Sequence, residues 1–134
     1  MTDTITLTVP YDRPYQGVVR LVVGGLAARL ELPLEELEDV QLALEALLSD
    51  DSYASGDTVT VEVEVTEDGL GISVGPLETA ALDTALDAEP DPERGVGLGR
   101  VIRTVMGGYE VEGRDGGGWL RMRKDVPAGG AGVE

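Results

Sequence analysis

Two groups of residues in this sequence have types and spacing suited to chemistry. The first is the run Glu93-Arg94-Gly95-Val96-Gly97-Leu98-Gly99-Arg100-Val101-Ile102-Arg103-Thr104-Val105-Met106, in which glycines at alternate positions lead into an apolar-periodic segment. Glycine lets backbone approach backbone or ligand, and a helix starting there turns unpaired N–H groups and a positive dipole end outward. Such a terminus seats an anion, most often phosphate. The same pattern also suits a loop and helix start that pack tightly. It is not a P-loop, because no Lys-Ser/Thr follows, nor a dinucleotide fingerprint, because no strand leads straight into it. The second group is Glu45 and Ser49, four residues apart and therefore on one face of a helix, at the flank of its apolar stripe. A carboxylate there can overhang a pocket as a general base, and the spacing equally fits a solvated residue at the edge of a core helix.

Composition narrows the chemistry further. The 134 residues contain neither cysteine nor histidine, which removes disulfides, thiolate or imidazole metal sites and imidazole catalysis. A general base must be a carboxylate or the single lysine, Lys124. A formal charge of -16 disfavours nucleic acid and anionic membranes, whose recognition relies on basic patches. A partner recruited by charge would be basic. There is no basic leader and no apolar run approaching the roughly 20 residues of a membrane span, so a soluble cytoplasmic protein is expected.

The elements that must position these residues are legible from periodicity. Ile5, Leu7 and Val9 alternate with Thr4, Thr6 and Thr8, giving a strand over 3–9 that Pro10 ends. Tyr15, Val18, Val22, Leu26 and Leu30 predict an amphipathic helix over about 14–30, with Gly24-Gly25 inside it implying close packing on another backbone. Pro33 opens a second helix with Glu35 and Glu36 in its first turn and Leu37, Val40, Leu44, Leu47 and Leu48 as its buried stripe. Alternation over 58–65, the turn Glu67-Asp68-Gly69 and Leu70–Val74 predict a hairpin that Gly75-Pro76 stops. Leu77–Leu86 reads as a short helix, 87–93 as an acidic, proline-stiffened loop able to cover a site. A last helix follows the glycine turn. Tyr109, Val111 and Gly113, then Asp115–Gly118 and Trp119–Lys124, make a second hairpin, with Trp119 expected as its core anchor. One domain over 1–125 with a disordered Gly/Ala-rich tail over 126–134 is expected. The fold class is α+β, a two-layer sandwich whose mixed, mostly antiparallel sheet carries helices on one face.

This order, with a carboxylate on the second long helix and a Gly-x-Gly-x-Gly turn near the end, resembles the GHKL or Bergerat-type ATPases. It is most similar to the small anti-sigma-factor serine/threonine kinases of bacterial partner-switching systems. The resemblance covers about residues 2–124 and is strongest at Gln41–Ser49 and Arg94–Val105. It implies ATP and Mg²⁺ as cofactors, and as partners a sigma factor or an anti-sigma-factor antagonist carrying a phosphorylatable Ser or Thr. In the family's Glu-x-x-x-Asn box the Glu is the general base and the Asn holds Mg²⁺; here Glu45 matches the Glu and Ser49 stands at the Asn position. Asp50 is adjacent but about 100° around the helix. The adenine-reading Asp-x-Gly-x-Gly box corresponds to Ser73-Val74-Gly75-Pro76-Leu77, with Ser73 at the Asp position and Gly75 as the first glycine. Asp68-Gly69-Leu70-Gly71 imitates that box but sits in a hairpin turn. The phosphate turn is intact as Gly95, Gly97 and Gly99, with Arg94 and Arg100 flanking it.

Three functions follow from these features. The first is an anti-sigma-factor-like regulator that acts by protein binding, with ATP binding weak or lost. The loss of an adenine-reading carboxylate forfeits about 1.5–3 kcal/mol, and a weakened Mg²⁺ ligand removes charge neutralisation that phosphoryl transfer depends on. The alternative is an active ATP-dependent serine/threonine kinase using Glu45 as base. The third is a retained fold with another regulatory or oligomeric role, such as a homodimer, for which a self-complementary apolar patch outside the pocket would be the sign.

Overall fold

The computed structural model describes residues 3–49, 53–66, 69–90, 92–93, 95, 97–114 and 116–125. The expectations for Asp50, Asp68, Arg94 and the 126–134 tail lie outside the described residues. The elements follow in the order β1 (Asp3–Pro10), α1 (Arg13–Arg29), α2 (Leu34–Leu48), β2 (Thr58–Thr66), β3 (Gly69–Leu77), α3 (Thr79–Asp87), α4 (Leu98–Val105), β4 (Gly108–Arg114) and β5 (Gly117–Asp125). The strands form one sheet ordered β1-β2-β3-β5-β4, and all four ladders are antiparallel.

The two-residue period of the strands divides the sheet into two unlike faces. One apolar row runs Leu7, Val61, Val74, Leu120, Val111, and a second runs Ile5, Val63, Ile72, Met122, Tyr109. Helices cover this face: Val19 and Val23 from α1, Val40, Leu44 and Leu47 from α2, Leu82 and Leu86 from α3, and Ile102 from α4 join the strand residues in one buried cluster. The opposite face carries Thr6, Glu62, Ser73, Arg121 and Glu110 in register and has no helix layer among the described residues. The α+β two-layer architecture is the one expected.

Chain reversal between α1 and α2 is made locally. Leu32 N–H donates to Ala27 O (2.9 Å) and Glu31 N–H to Ala28 O (3.2 Å), the paired bonds of a Schellman turn. Glu31 occupies its left-handed position at φ 56°. A side chain is unfavourable there, so Glu31→Gly is expected to stabilise the protein by about 0.5–1 kcal/mol, read from urea denaturation midpoints.

Several local expectations are corrected by the tertiary packing. The buried stripe of α1 is Val19, Val23 and Ala27, one residue along from Val18, Val22 and Leu26; Tyr15 and Val18 are exposed. That shift is a rotation of about 100°, and it occurs because α1 carries two adjacent apolar stripes between which periodicity alone cannot choose. Gly24 and Gly25 approach no other backbone; the nearest atom to a Cβ at Gly24 is the Gln41 amide nitrogen, 3.8 Å away, and none lies within 4 Å of one at Gly25. β3 does not stop at Gly75-Pro76 but reaches Leu77. Pairing with β2 ends at Gly75 and the register with β5 shifts between Val74 and Leu77, so a bulge receives the proline where no ladder N–H is required. Trp119 is buried outside the core, on the open face, because Leu120 and Met122 take the alternate positions that face the helices.

Candidate functional site

Glu45 and Ser49 do border a cavity. It holds about 380 Å³ between α1 and α2, lined by Gln16, Gly17, Val19, Arg20, Gln41, Leu44, Glu45 and Ser49. The antiparallel helices bring polar residues at four-residue spacing into contact across it. Arg20 donates to the Glu45 carboxylate, the Gln16 amide donates to Leu48 O, and the Gln41 amide donates to Arg20 O (3.5 Å). The Arg20–Glu45 pair is 58% and 55% exposed, so water screens it and it contributes at most about 1 kcal/mol. Its effect is positional: the carboxylate expected to act as a base is held against a guanidinium. The Ser49 hydroxyl donates back to Ala46 O (3.2 Å), within its own helix.

The glycine turn packs differently from an open anion seat. Gly97 caps the N-terminus of α4, and a Cβ there would lie 2.6 Å from Ala88 O. A Cβ at Gly99 would collide with Leu86 O and stand 3.0 Å from the Tyr109 hydroxyl. Both glycines therefore admit the carbonyls at the C-terminal end of α3, setting the negative end of one helix against the positive end of the next. Gly95 is exposed with φ 82° and open space around it. Arg100 is exposed. None of the three glycines lines the Glu45 cavity.

Ser73 and Gly75 lie on the far side of the sheet from Glu45. Ser73 is buried in a hollow of about 60 Å³ with Thr4, Glu62, Glu64, Gly71, Arg114 and Arg121. Gly75 lies under the Trp119 indole, whose Cδ2 would be 2.5 Å from a Cβ there. The Arg114 guanidinium covers the other side of the ring at 4.1 Å and bonds to Glu62 (3.0 Å) and Glu112 (3.1 Å); Arg121 pairs with Glu64 and Glu112. The hydrogen bond to Glu62, set against partial burial, raises the Arg114 pKa and keeps it cationic. Arg114→Ala is expected to cost about 1 kcal/mol of stability and to raise Trp119 fluorescence quenching by acrylamide, since it uncovers the ring.

Against known proteins, no family model matches the chain. It is 31% identical, over 91% of its length and 83% of the relative's, to the serine-protein kinase RsbW of Halalkalibacterium halodurans. It is 32% identical to the serine-protein kinase RsbW of Listeria monocytogenes (79% of this chain, 77% of the relative) and 27% identical to that of Bacillus pumilus (85% and 81%). The chain belongs to the RsbW family.

In this RsbW-family chain the structure gathers Glu45 and Ser49 together, sets Gly97 and Gly99 against α3, and leaves Ser73 and Gly75 behind the sheet. Sequence reasoning missed Arg20, Gln16 and Gln41. Their signal was present as two polar pairs four residues apart, Gln16/Arg20 and Gln41/Glu45, one bearing a cation and the other an anion. Among the described residues no group of three or more acidic side chains is placed to hold a metal ion, and a lone serine hydroxyl already bonded within its helix is a poor ligand for octahedral Mg²⁺. No described helix is long and apolar enough to cross a membrane.

Proposed function

We propose that this chain is an anti-sigma-factor-like regulator of a partner-switching system that acts by binding protein, with ATP binding weak or lost. The observation that carries this reading is the separation of the box residues: Ser73 and Gly75 face one side of the sheet while Glu45 and Ser49 face a cavity on the other. A nucleotide gripped by all of them would have to pass through the apolar core. The engaged Ser49 hydroxyl and the Arg20-bound Glu45 support the same reading. The partner is a sigma factor or its anti-sigma-factor antagonist, and the charge of -16 favours a basic contact surface on it.

Titration with Mg²⁺-ATP in a calorimeter, paired with thermal unfolding, tests the nucleotide half. At millimolar ATP we expect no measurable heat and no change in Tm. A ligand present at 100 times its Kd would add about 2.7 kcal/mol, and a shift of that size would overturn the proposal. Co-purification with the sigma factor and the antagonist tests the protein half; recovery of neither removes it.

The second reading, an active kinase, is favoured by the name its relatives carry and by the place of Glu45 at a cavity mouth. It requires transfer of labelled phosphate from ATP to the antagonist, abolished in Glu45→Gln.

A further inference from the structure

The sheet ends beyond β5 in a strand whose outer side is unpaired. Among the described residues β4 is bonded to β5 alone, in a ladder without bulge or proline from Gly108↔Arg123 to Arg114↔Gly117. Its outward N–H and C=O groups are available to another strand, and paired residues in a sheet send their side chains to the same face. A strand added here places alternate residues beside Tyr109 and Val111 on the helix face and beside Gly108, Glu110 and Glu112 on the open face. Tyr109 and Val111 are only half-buried and offer that strand an apolar contact.

The open-face positions are acidic and hold a pocket. Because Gly108 has no side chain, a hollow of about 200 Å³ lies over Gly107 and Gly108, walled by Glu110, Arg121, Arg123 and Asp125. Its guanidinium groups are already engaged, Arg121 with Glu64 and Glu112 and Arg123 with Asp125. The carboxylates are less so. Glu110 is exposed and stands outside the ion pairs of this face, and Asp125, 77% exposed, meets Arg123 only at 3.6 Å. A residue paired with Gly108 sends its side chain into this hollow, where a cation meets two carboxylates.

We propose that the β4 edge binds an extended segment of a protein partner in which lysine or arginine alternates with apolar residues, extending the sheet by one strand. Main-chain hydrogen bonds supply the affinity, and the hollow at Gly108 supplies the preference for a cation. Charge selects this occupant over a second copy of the chain. Pairing two β4 strands brings Glu110 and Glu112 against their own kind, and like charges directly opposite are destabilising. The net charge of -16 draws a basic segment in from solution. The inference does not depend on the regulatory role proposed above, because its test uses a synthetic peptide and neither a sigma factor nor an antagonist.

A short capped peptide alternating lysine and valine, titrated into the full chain at physiological salt, is expected to bind and to protect amides of 108–114 from hydrogen exchange while leaving those of 4–9 unchanged. The same peptide with proline at its centre keeps the charge but breaks the ladder, and is expected to bind at least about tenfold more weakly. Glu110→Lys is expected to raise Kd about tenfold. Gly108→Val, at a position where a Cβ has open space, keeps the urea midpoint, fills the hollow and weakens binding to a similar extent. Glu38→Lys, exposed on α2, changes the net charge as much as Glu110→Lys does and leaves Kd within about twofold. No binding, protection of β1 in place of β4, equal binding of the proline peptide, or equal binding by Glu110→Lys and Gly108→Val would overturn the proposal. So would protection of 108–114 that rises with protein concentration in the absence of peptide, which assigns this edge to a second copy.

Discussion

Gly99→Ala is expected to lower the unfolding free energy by about 3 kcal/mol in the absence of any nucleotide, because its Cβ would run into the Leu86 backbone, which cannot swing aside as a side chain can. The atoms in its path are Leu86 O and, at 3.0 Å, the Tyr109 hydroxyl. Gly99 is buried at the head of α4, and α4 also contacts α2 and β4, so relief by displacement would disturb three neighbours. Gly97→Ala, facing Ala88 O at 2.6 Å, is expected to cost about 2 kcal/mol, since the turn lies nearer the surface and can give. Gly95→Ala costs about 1 kcal/mol, from the left-handed φ alone. Urea denaturation of the three variants measures the gradient. Equal, small losses would mean that the glycines do not serve the α3–α4 junction. A gradient rising toward Gly99 is what helix packing requires and a phosphate cradle does not.

Lys124→Met is expected to cost about 2–3 kcal/mol. The Lys124 ammonium at the end of β5 donates to Asp39 (2.8 Å) and to Val105 O (2.7 Å) and lies 3.1 Å from Glu36, so one cation ties the sheet to α2 and α4. Its side chain is only 15% exposed. Removing it leaves two neighbouring carboxylates and a carbonyl without their donor, a larger loss than that of a surface pair; the partial exposure of Asp39 keeps it below the cost of a fully buried one. Burial pulls the Lys124 pKa down, but the hydrogen bonds to Asp39 and Glu36 and their charges outweigh it, and the net shift is upward. A pKa raised in the folded state contributes stability that is full below the unfolded lysine value of about 10.4 and is lost as pH climbs through the folded value. The gap between wild type and Lys124→Met, measured by urea denaturation, should thus be constant through neutral pH and close only in the strongly alkaline range. A gap that closes below pH ~9 would show that the ammonium is not the source.

These two residues also show how much of the candidate site depends on distant partners. The run Gly95, Gly97, Gly99 marks a place where backbone comes close, and both an anion and a neighbouring helix satisfy that description. What lies opposite is a property of where α3 ends, which no local pattern encodes. In the sequence Lys124 stands out as the single lysine and a candidate general base; its partners are 85 and 19 positions away in the chain. Arg20 and Glu45 were equally out of reach of one another until α1 and α2 turned antiparallel at Glu31.

By itself the sequence determined the element types and their order, because a two-residue or near-four-residue apolar period and its interruptions are set within a dozen neighbouring residues. It also carried the family, through Glu45 on the second helix and the glycine run before the last. The tertiary structure decided which of two apolar stripes on α1 entered the core and that Trp119 lay beneath Arg114 on the open face. It also decided that Ser73 and Gly75 stood behind the sheet from Glu45. Those outcomes depend on strand register and on polar partners recruited from distant segments. Period alone gives a residue its neighbours on one face, while only the assembled sheet and helices determine what that face meets.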